Sequence, residues 1–216
     1  MRISQLPKAA LRSGPQPGGR EPAPGALALV QAFVNSHYDL EREWGAELLS
    51  DPGALRAWLS GRRLIDADAR VTRRDLALAL AVREGLRALL YANNGEPLDR
   101  HAAAALDDAA LALPVSVLIG VVDVDFAAPA RDTRGALGLI LAVAAQARLD
   151  GSFARLKACP GDDCGWAFFD HSRNAAGSWC SMAVCGGRAK QRAYYRRRRY
   201  AAPRDSGRNR RVERDR

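Results

Sequence analysis

Apolar residues recur three and four positions apart along most of the first 150 residues, the period of helices buried on one side. The first run begins near Gly25 and reaches about Tyr38, with Leu27, Val30, Phe33 and Val34 on one broad face. Asp51-Pro52-Gly53 is a helix start signal, and Leu55, Trp58 and Leu59 follow it at helical spacing. The clearest pattern covers residues 73–92. There Thr72 and Asp75 form a capping box with a short acid, and Leu78, Val82, Leu86 and Leu89 repeat on one side. Asn93-Asn94-Gly95 ends that helix. An alanine-rich helix around Leu106 spans about 97–111, and a last long helix runs from Asp132 to about Leu149. Residues 114–126 (PVSVLIGVVDVDF) break the habit: they are valine-rich and read as one strand bent at Gly120, or as two short strands. Residues 1–24 have Pro and Gly but no hydrophobic period, which reads as a mobile lead-in. The fold expected is α+β and mostly α: a helical N-terminal domain over 25–152 with a small β-hairpin element, followed by a different module.

That module, 153–200, has another grammar. Residues 151–200 hold 8 of the 14 aromatics and all 4 cysteines of the chain. Cys159, Cys164, Cys180 and Cys185 give C-x4-C-x15-C-x4-C, two close pairs separated by a finger-sized loop. This spacing suits four thiolates around one tetrahedral zinc ion, a closed sphere with no open position for water, hence a structural site. Pro160-Gly161 is a turn dipeptide between the first pair, with Gly free to take positive φ. Gly186-Gly187 after the last cysteine would let the backbone pass close to the metal. Two disulfides, free buried thiols, or His171 as a replacement ligand are the competing readings. A module of some forty residues needs such a staple, and Trp166, Phe168, Phe169 and Trp179 are expected to pack around the ion. Asp170, Ser172 and Asn174 read as a turn held by side-chain-to-backbone bonds.

Charge sharpens the division. The chain carries 33 basic and 24 acidic residues, net +9, yet residues 1–187 are close to neutral and the excess sits after Gly187. The stretch GGRAKQRAYYRRRRY reads as a helix without an acidic residue. Arg188, Arg192, Arg196 and Arg199 fall in one arc of about 80°, with Lys190 and Arg197 beside it, leaving Ala193 and Tyr194 or Tyr195 to face the zinc core. Residues 201–216 add six arginines against three acids and are expected to be a disordered basic tail. A mixed-sign face would suit mere solvation; a single-sign face suits a polyanion, nucleic acid before membrane. Arginine outnumbers lysine throughout the chain, so the choice of Arg at any one position carries little information. No apolar run reaches the length of a membrane span, and the first 25 residues lack a secretory apolar stretch, so the expectation is a cytoplasmic protein with no membrane partner.

These residues carry a resemblance. The string Cys159…Cys164-Gly165-Trp166-x-Phe168-x-Asp170-x-Ser172-Arg173-Asn174…Trp179-Cys180-Ser181-Met182-x-x-Cys185-Gly186-x-Arg188-x-Lys190 is similar to the CGNR-type zinc finger. Ala26–Ser36 (ALALVQAFVNS) and Arg83-Glu84-Gly85-Leu86-Arg87-Ala88-Leu89-Leu90 resemble the ABATE domain that precedes this finger in bacterial stress-response transcription regulators. The resemblance covers about 25–199. It implies zinc on Cys159, Cys164, Cys180 and Cys185, a DNA-binding role, and a bacterial cytoplasmic regulator. Two positions depart from the pattern. Gly187 replaces the Asn of the name-giving tetrad, and Ala175, Ala176, Gly177 and Ser178 replace the basic residues that usually precede the Trp-Cys pair.

No P-loop, G-x-S-x-G or dinucleotide turn is present, and the reading is a non-enzyme. His37 and His101 stand alone as surface or packing residues, and Asp66, Asp68, Asp123 and Asp125 read as solvated acids. Asn35, Arg83 and Arg87 are the candidates for a small anionic effector, Arg83 and Arg87 sharing one helix face. The expected function is a zinc-dependent DNA-binding regulator. Arg188, Lys190, Arg192, Arg196, Arg197 and Arg199 would contact DNA, the N-terminal domain would sense a ligand or mediate association, and a homodimer would supply a second contact. The alternative is a zinc-stabilised interaction module that binds RNA or an acidic protein.

Overall fold

The computed structural model describes residues 1–37 and 47–200. Tyr38, the expected end of the first helix, and the tail 201–216 lie outside the described residues. Helices α1 (Leu27–Val34), α2 (Pro52–Gly61), α3 (Arg73–Asn93), α4 (Arg100–Ala110) and α5 (Thr133–Leu149) follow the sequence periodicity closely. Their starts are capped as the residue types dictate: Asp51, Asp99 and Asp132 accept first-turn amides, and Thr72 and Asp75 complete the reciprocal box.

Helix α1 is buried on every side, not on one face. It sits at the centre, against α3, α5 and the second hairpin described below. Leu29, Val30, Phe33 and Val34 meet Leu55 and Leu59 of α2, Val82, Leu86 and Leu90 of α3, and Leu137, Leu139 and Ile140 of α5. On α3 the fully covered stripe is Ala79, Val82, Leu86 and Leu90, while Leu78 and Leu89 are half-buried. Gly85 lets α4 come close: a Cβ there would lie 2.4 Å from Leu106 Cβ and 2.9 Å from the Ala102 carbonyl oxygen.

The valine-rich stretch is two strands, β1 (Ser116–Ile119) and β2 (Val124–Ala127), paired antiparallel with Val117 opposite Phe126 and Ile119 opposite Val124. A second hairpin, β3 (Leu156–Ala158) and β4 (Ala167–Phe169), has no counterpart in the sequence pattern. Strands of three residues are too short to show a period. Leu156, Ala158, Ala167 and Phe169 belong to the large core, so packing continues across the expected boundary at 152/153. Helix α6 (Gly187–Tyr200) closes the described chain.

Residues 1–24, expected as a mobile lead-in, are instead pinned across both parts. Ile3, Ala10 and Ala23 are buried. The Met1 ammonium donates to the Ala128 carbonyl oxygen (2.8 Å), Trp166 Nε1 donates to Gln16 Oε1 (3.1 Å), and Arg20 donates to the carbonyl oxygens of Cys180 and Trp179 (2.8 and 2.9 Å). Hydrogen bonds to distant elements hold this segment, and they leave no hydrophobic period to read.

Candidate metal centre

The β3–β4 hairpin fixes the first cysteine pair. Cys159 follows β3 directly and its amide donates to the Trp166 carbonyl oxygen (2.9 Å), so the ladder extends to the ligand itself. The intervening loop turns by positive φ at Asp163 (56°) and Gly165 (58°), not at Gly161. Gly161 is needed for space: a Cβ there would lie 3.0 Å from Cys185 Sγ. Of the second pair, Cys180 precedes and Cys185 sits within a π-helical turn, Met182–Gly186, where the Val184 amide donates to the Ser181 hydroxyl. A Cβ at Gly186 would meet the Met182 thioether (2.6 Å) and Trp179 (3.3 Å) rather than the metal position.

All four sulfurs are buried, unbridged, and within 4.8 Å of one another. Cys164 Sγ lies 3.7 Å from Cys180 Sγ, which lies 3.6 Å from Cys185 Sγ. A regular tetrahedron with metal–sulfur bonds of ~2.3 Å has edges of ~3.8 Å, so the donor set has the size of a zinc sphere. Its electrostatics agree. Hydrogen bonds from Cys164 and Cys180 favour the Cys159 thiolate and hold its pKa well below the usual thiol range; the same contacts push Cys164 and Cys180 up, and burial raises Cys185. Sulfurs alone favour one charge among four, and a divalent cation lets all four ionise together. The centre is a closed four-cysteine site for one structural zinc ion. Trp166 and Phe168 pack on the cysteines with Trp179 at the margin, whereas Phe169 turns to the large core.

The helical domain grips this finger through polar side chains. Asn35 holds one edge of β4 with two bonds: its Nδ2 donates to the Ala167 carbonyl oxygen (2.9 Å) and its Oδ1 accepts from the Ala167 amide (2.7 Å). One turn earlier, Gln31 donates to the same carbonyl (3.1 Å). Arg87 donates to the carbonyl oxygens of Gly165 (2.6 Å) and Val34 (2.8 Å), and His37 Nε2 lies 3.2 Å from the Cys164 carbonyl oxygen. Burial and the nearby Arg87 charge lower the His37 pKa to about 4, keeping the imidazole neutral. Asn93 donates to Phe153 and Leu156, and Asn94 to Ala158 and Ser178. In the sequence these two asparagines signal only a helix stop.

Of the three effector candidates, Asn35 and Arg87 therefore bond finger backbone. Arg83 pairs bidentately with Glu47 (2.7 Å to each oxygen) and with Glu84 (2.7 Å). All three are buried. In the turn after β4, Asp170 accepts from the amide and hydroxyl of Ser172, the Gly177 amide and Lys157 Nζ, in keeping with the Asp-x-Ser pattern.

Helix α6 is anchored mainly at its start, by the π-helical turn that contains Cys185. Arg188, Lys190, Arg192, Arg196, Arg197 and Arg199 are all exposed. Tyr194 and Tyr195 are 49% and 59% exposed, so they do not face the zinc core; of the three residues expected there, only Ala193 is half-buried. Arg188 and Arg192 lie roughly opposite Lys190 and Arg197 at about 100° per residue, so positive charge rings the helix rather than forming one stripe. Arg192 also pairs with Asp162 of the first cysteine loop (2.7 Å), both largely exposed.

A helical domain bearing a closed four-thiolate centre that launches a basic helix defines a zinc-finger protein, with no helix among the described residues long and apolar enough to cross a membrane. The chain belongs to the ABATE family, described as "putative stress-induced transcription regulator", whose model matches residues 25–156, and the CGNR zinc finger model matches 155–198. Neither family is an enzyme class. No curated protein matches the chain.

Proposed function

We propose that the chain is a zinc-dependent DNA-binding transcriptional regulator of the bacterial cytoplasm, in which residues 153–200 contact DNA and residues 25–152 mediate association. The observation that carries this reading is α6, an exposed helix of fourteen residues with basic side chains on all sides and no acid, fixed at one end to the metal site. Zinc on Cys159, Cys164, Cys180 and Cys185 sets the angle at which α6 leaves the domain. Arg188, Lys190, Arg192, Arg196, Arg197 and Arg199 neutralise phosphates, which supplies affinity without sequence information. The Arg192–Asp162 pair is no obstacle, since exposed pairs contribute less than about 1 kcal/mol. One finger gives a small interface, so sequence-specific binding calls for two chains on one site. For Asn35, Arg83 and Arg87, the internal bonding supports a role in holding the finger over the binding of an anionic effector.

The test is duplex binding by the zinc-loaded protein across a salt series. Affinity should fall steeply with salt, and Arg192→Ala, Arg196→Ala and Arg199→Ala together should flatten the log–log slope by about 2–3. Salt-insensitive binding, or equal binding by the triple variant, overturns the reading. The exposed Tyr194 and Tyr195 favour RNA as a second reading, because aromatic side chains beside arginines stack on unpaired bases. Structured RNA and an acidic peptide compared with duplex DNA at fixed salt separate these partners.

A further inference from the structure

The β1–β2 hairpin has one face that the fold covers only at Phe126, which packs against the large core. The pairing Val117–Phe126 and Ile119–Val124 puts these four side chains on the same face. Val117, Ile119 and Val124 are 58%, 83% and 51% exposed, and Val121 and Val122 at the tip are almost wholly exposed. The opposite face is engaged: Asp125 accepts from the Ser4 amide and hydroxyl, and Arg2 bridges to Ala127 at the hairpin base. The tip is built, not frayed, since the Gly120 amide donates to the Asp123 carbonyl oxygen (2.8 Å). A solvent-facing strand ordinarily alternates apolar with polar residues, and here the outward positions are the apolar ones.

We infer that this face is the contact between two copies of the chain, packed face to face about a two-fold axis. Three observations select a second copy as the occupant. The strand positions of the exposed face carry no charged side chain, and the one carboxylate of the tip, Asp123, folds back beside Gly120, so the face meets itself without repulsion or an unpaired charge, as an isologous interface requires. Its five aliphatic side chains, all at least half exposed, form a patch on the order of several hundred Å², comparable with the apolar part of the ~800 Å² that each partner buries in a standard interface. The outer edge of β1 has no strand partner among the described residues, leaving room for close approach. The proposal stands on the hairpin and not on nucleic-acid binding, although it would supply the second finger that a specific site calls for.

The experiment is sedimentation velocity of the full zinc-loaded chain up to about 100 µM without nucleic acid. The expected mass is twice the 23.4 kDa of one chain. Ile119→Lys with Val122→Lys should raise the dimer dissociation constant at least about a hundredfold, since each places an unpaired charge in an apolar contact. Both positions are exposed, so zinc content and circular dichroism should match the parent. The Arg196→Ala, Arg199→Ala variant should dimerise normally, which separates this test from loss of DNA binding. A wild-type monomer throughout the range, or a dimer that survives both lysines, overturns the proposal. So does a monomer that instead co-sediments with neutral phosphatidylcholine vesicles through Val121 and Val122, which would assign the face to a membrane surface.

Discussion

Arg87 reaches out of the middle of α3 and donates, over 2.6 Å, to the carbonyl oxygen of Gly165, the residue immediately after the ligand Cys164. A side chain of the helical domain thus orients the backbone next to the metal. The same guanidinium donates to Val34 and pairs with Glu84 (2.8 Å). Arg87→Ala would leave Glu84 with one cation fewer and two carbonyls without their donor. The expected cost is about 3 kcal/mol, with zinc affinity weakened about tenfold, as when a group supporting metal ligands is removed. Arg87→Lys should rescue little, because one ammonium cannot replace a planar fork with several directed donors. Chemical denaturation and competition with a zinc chelator read the two effects; a variant with parental stability and zinc affinity would refute the coupling.

Metal removal should unsettle more than the finger. Leu156, Ala158, Ala167 and Phe169 of the β3–β4 hairpin lie in the large core, so the zinc site and the helical domain share a packed wall. Chelation, or Cys180→Ser, is expected to lower the melting temperature of the whole chain by about 10 °C or more, the effect of several kcal/mol on a chain this long. Trp166 and Trp179, both beside the cysteines, should change their fluorescence in the same step. A helical domain that melts at an unchanged temperature without zinc would mean the two parts are energetically independent.

Gly187, which replaces the Asn of the family tetrad, is not required by the backbone. Its φ and ψ (−62° and −47°) are those of an ordinary helix, and an added Cβ would meet only the Met182 carbonyl oxygen at 3.3 Å. Gly187→Ala should stabilise the zinc-loaded chain by about 0.5 kcal/mol, the helix-propensity gain less a small adjustment at Met182. By contrast Gly186→Ala should gain less, because its Cβ would displace the half-exposed Met182 thioether (2.6 Å) and press on Trp179 (3.3 Å). Equilibrium unfolding of the two variants checks the order; a larger gain at position 186 would refute it.

The long helices and the four-sulfur cluster are legible in the sequence because both are written locally, as a period and as a spacing. What is not legible is whatever depends on which partner arrives from far along the chain. Arg20 reads as one more residue of a loose lead-in, yet it caps two carbonyls 159 and 160 positions away and lies 4.9 Å from the Phe168 ring. Asn35 and Arg87 read in the sequence only as candidates for binding an effector. Their partners, backbone atoms of a finger 132 and 78 residues downstream, have no sequence signature. Helical period alone places Tyr194 and Tyr195, and a period gives a face only when something packs against it.

Asp170 gives the finger a pH dependence of its own. Burial acts to raise its pKa, but the Ser172 hydroxyl, the Lys157 ammonium and two amides outweigh it and bring the carboxyl to about 2. The folded value lies below the ordinary 3.8, so the unfolded chain binds the proton more readily. Stability from this group is therefore complete above about pH 4 and is lost as pH falls from there through about 2, by at most about 2 kcal/mol. In Asp170→Asn the ammonium of Lys157, 7% exposed and also donating to Ala175 and Gly177, loses its countercharge. The variant should be about 3 kcal/mol less stable at pH 7. Thiolate protonation releases zinc from both proteins at acid pH, so the comparison is made at matched zinc content. Measured that way, the stability gap between parent and variant should be constant down to about pH 4 and narrow below it; a gap that stays level to pH 2 would show that the Asp170 carboxylate does not carry this contribution.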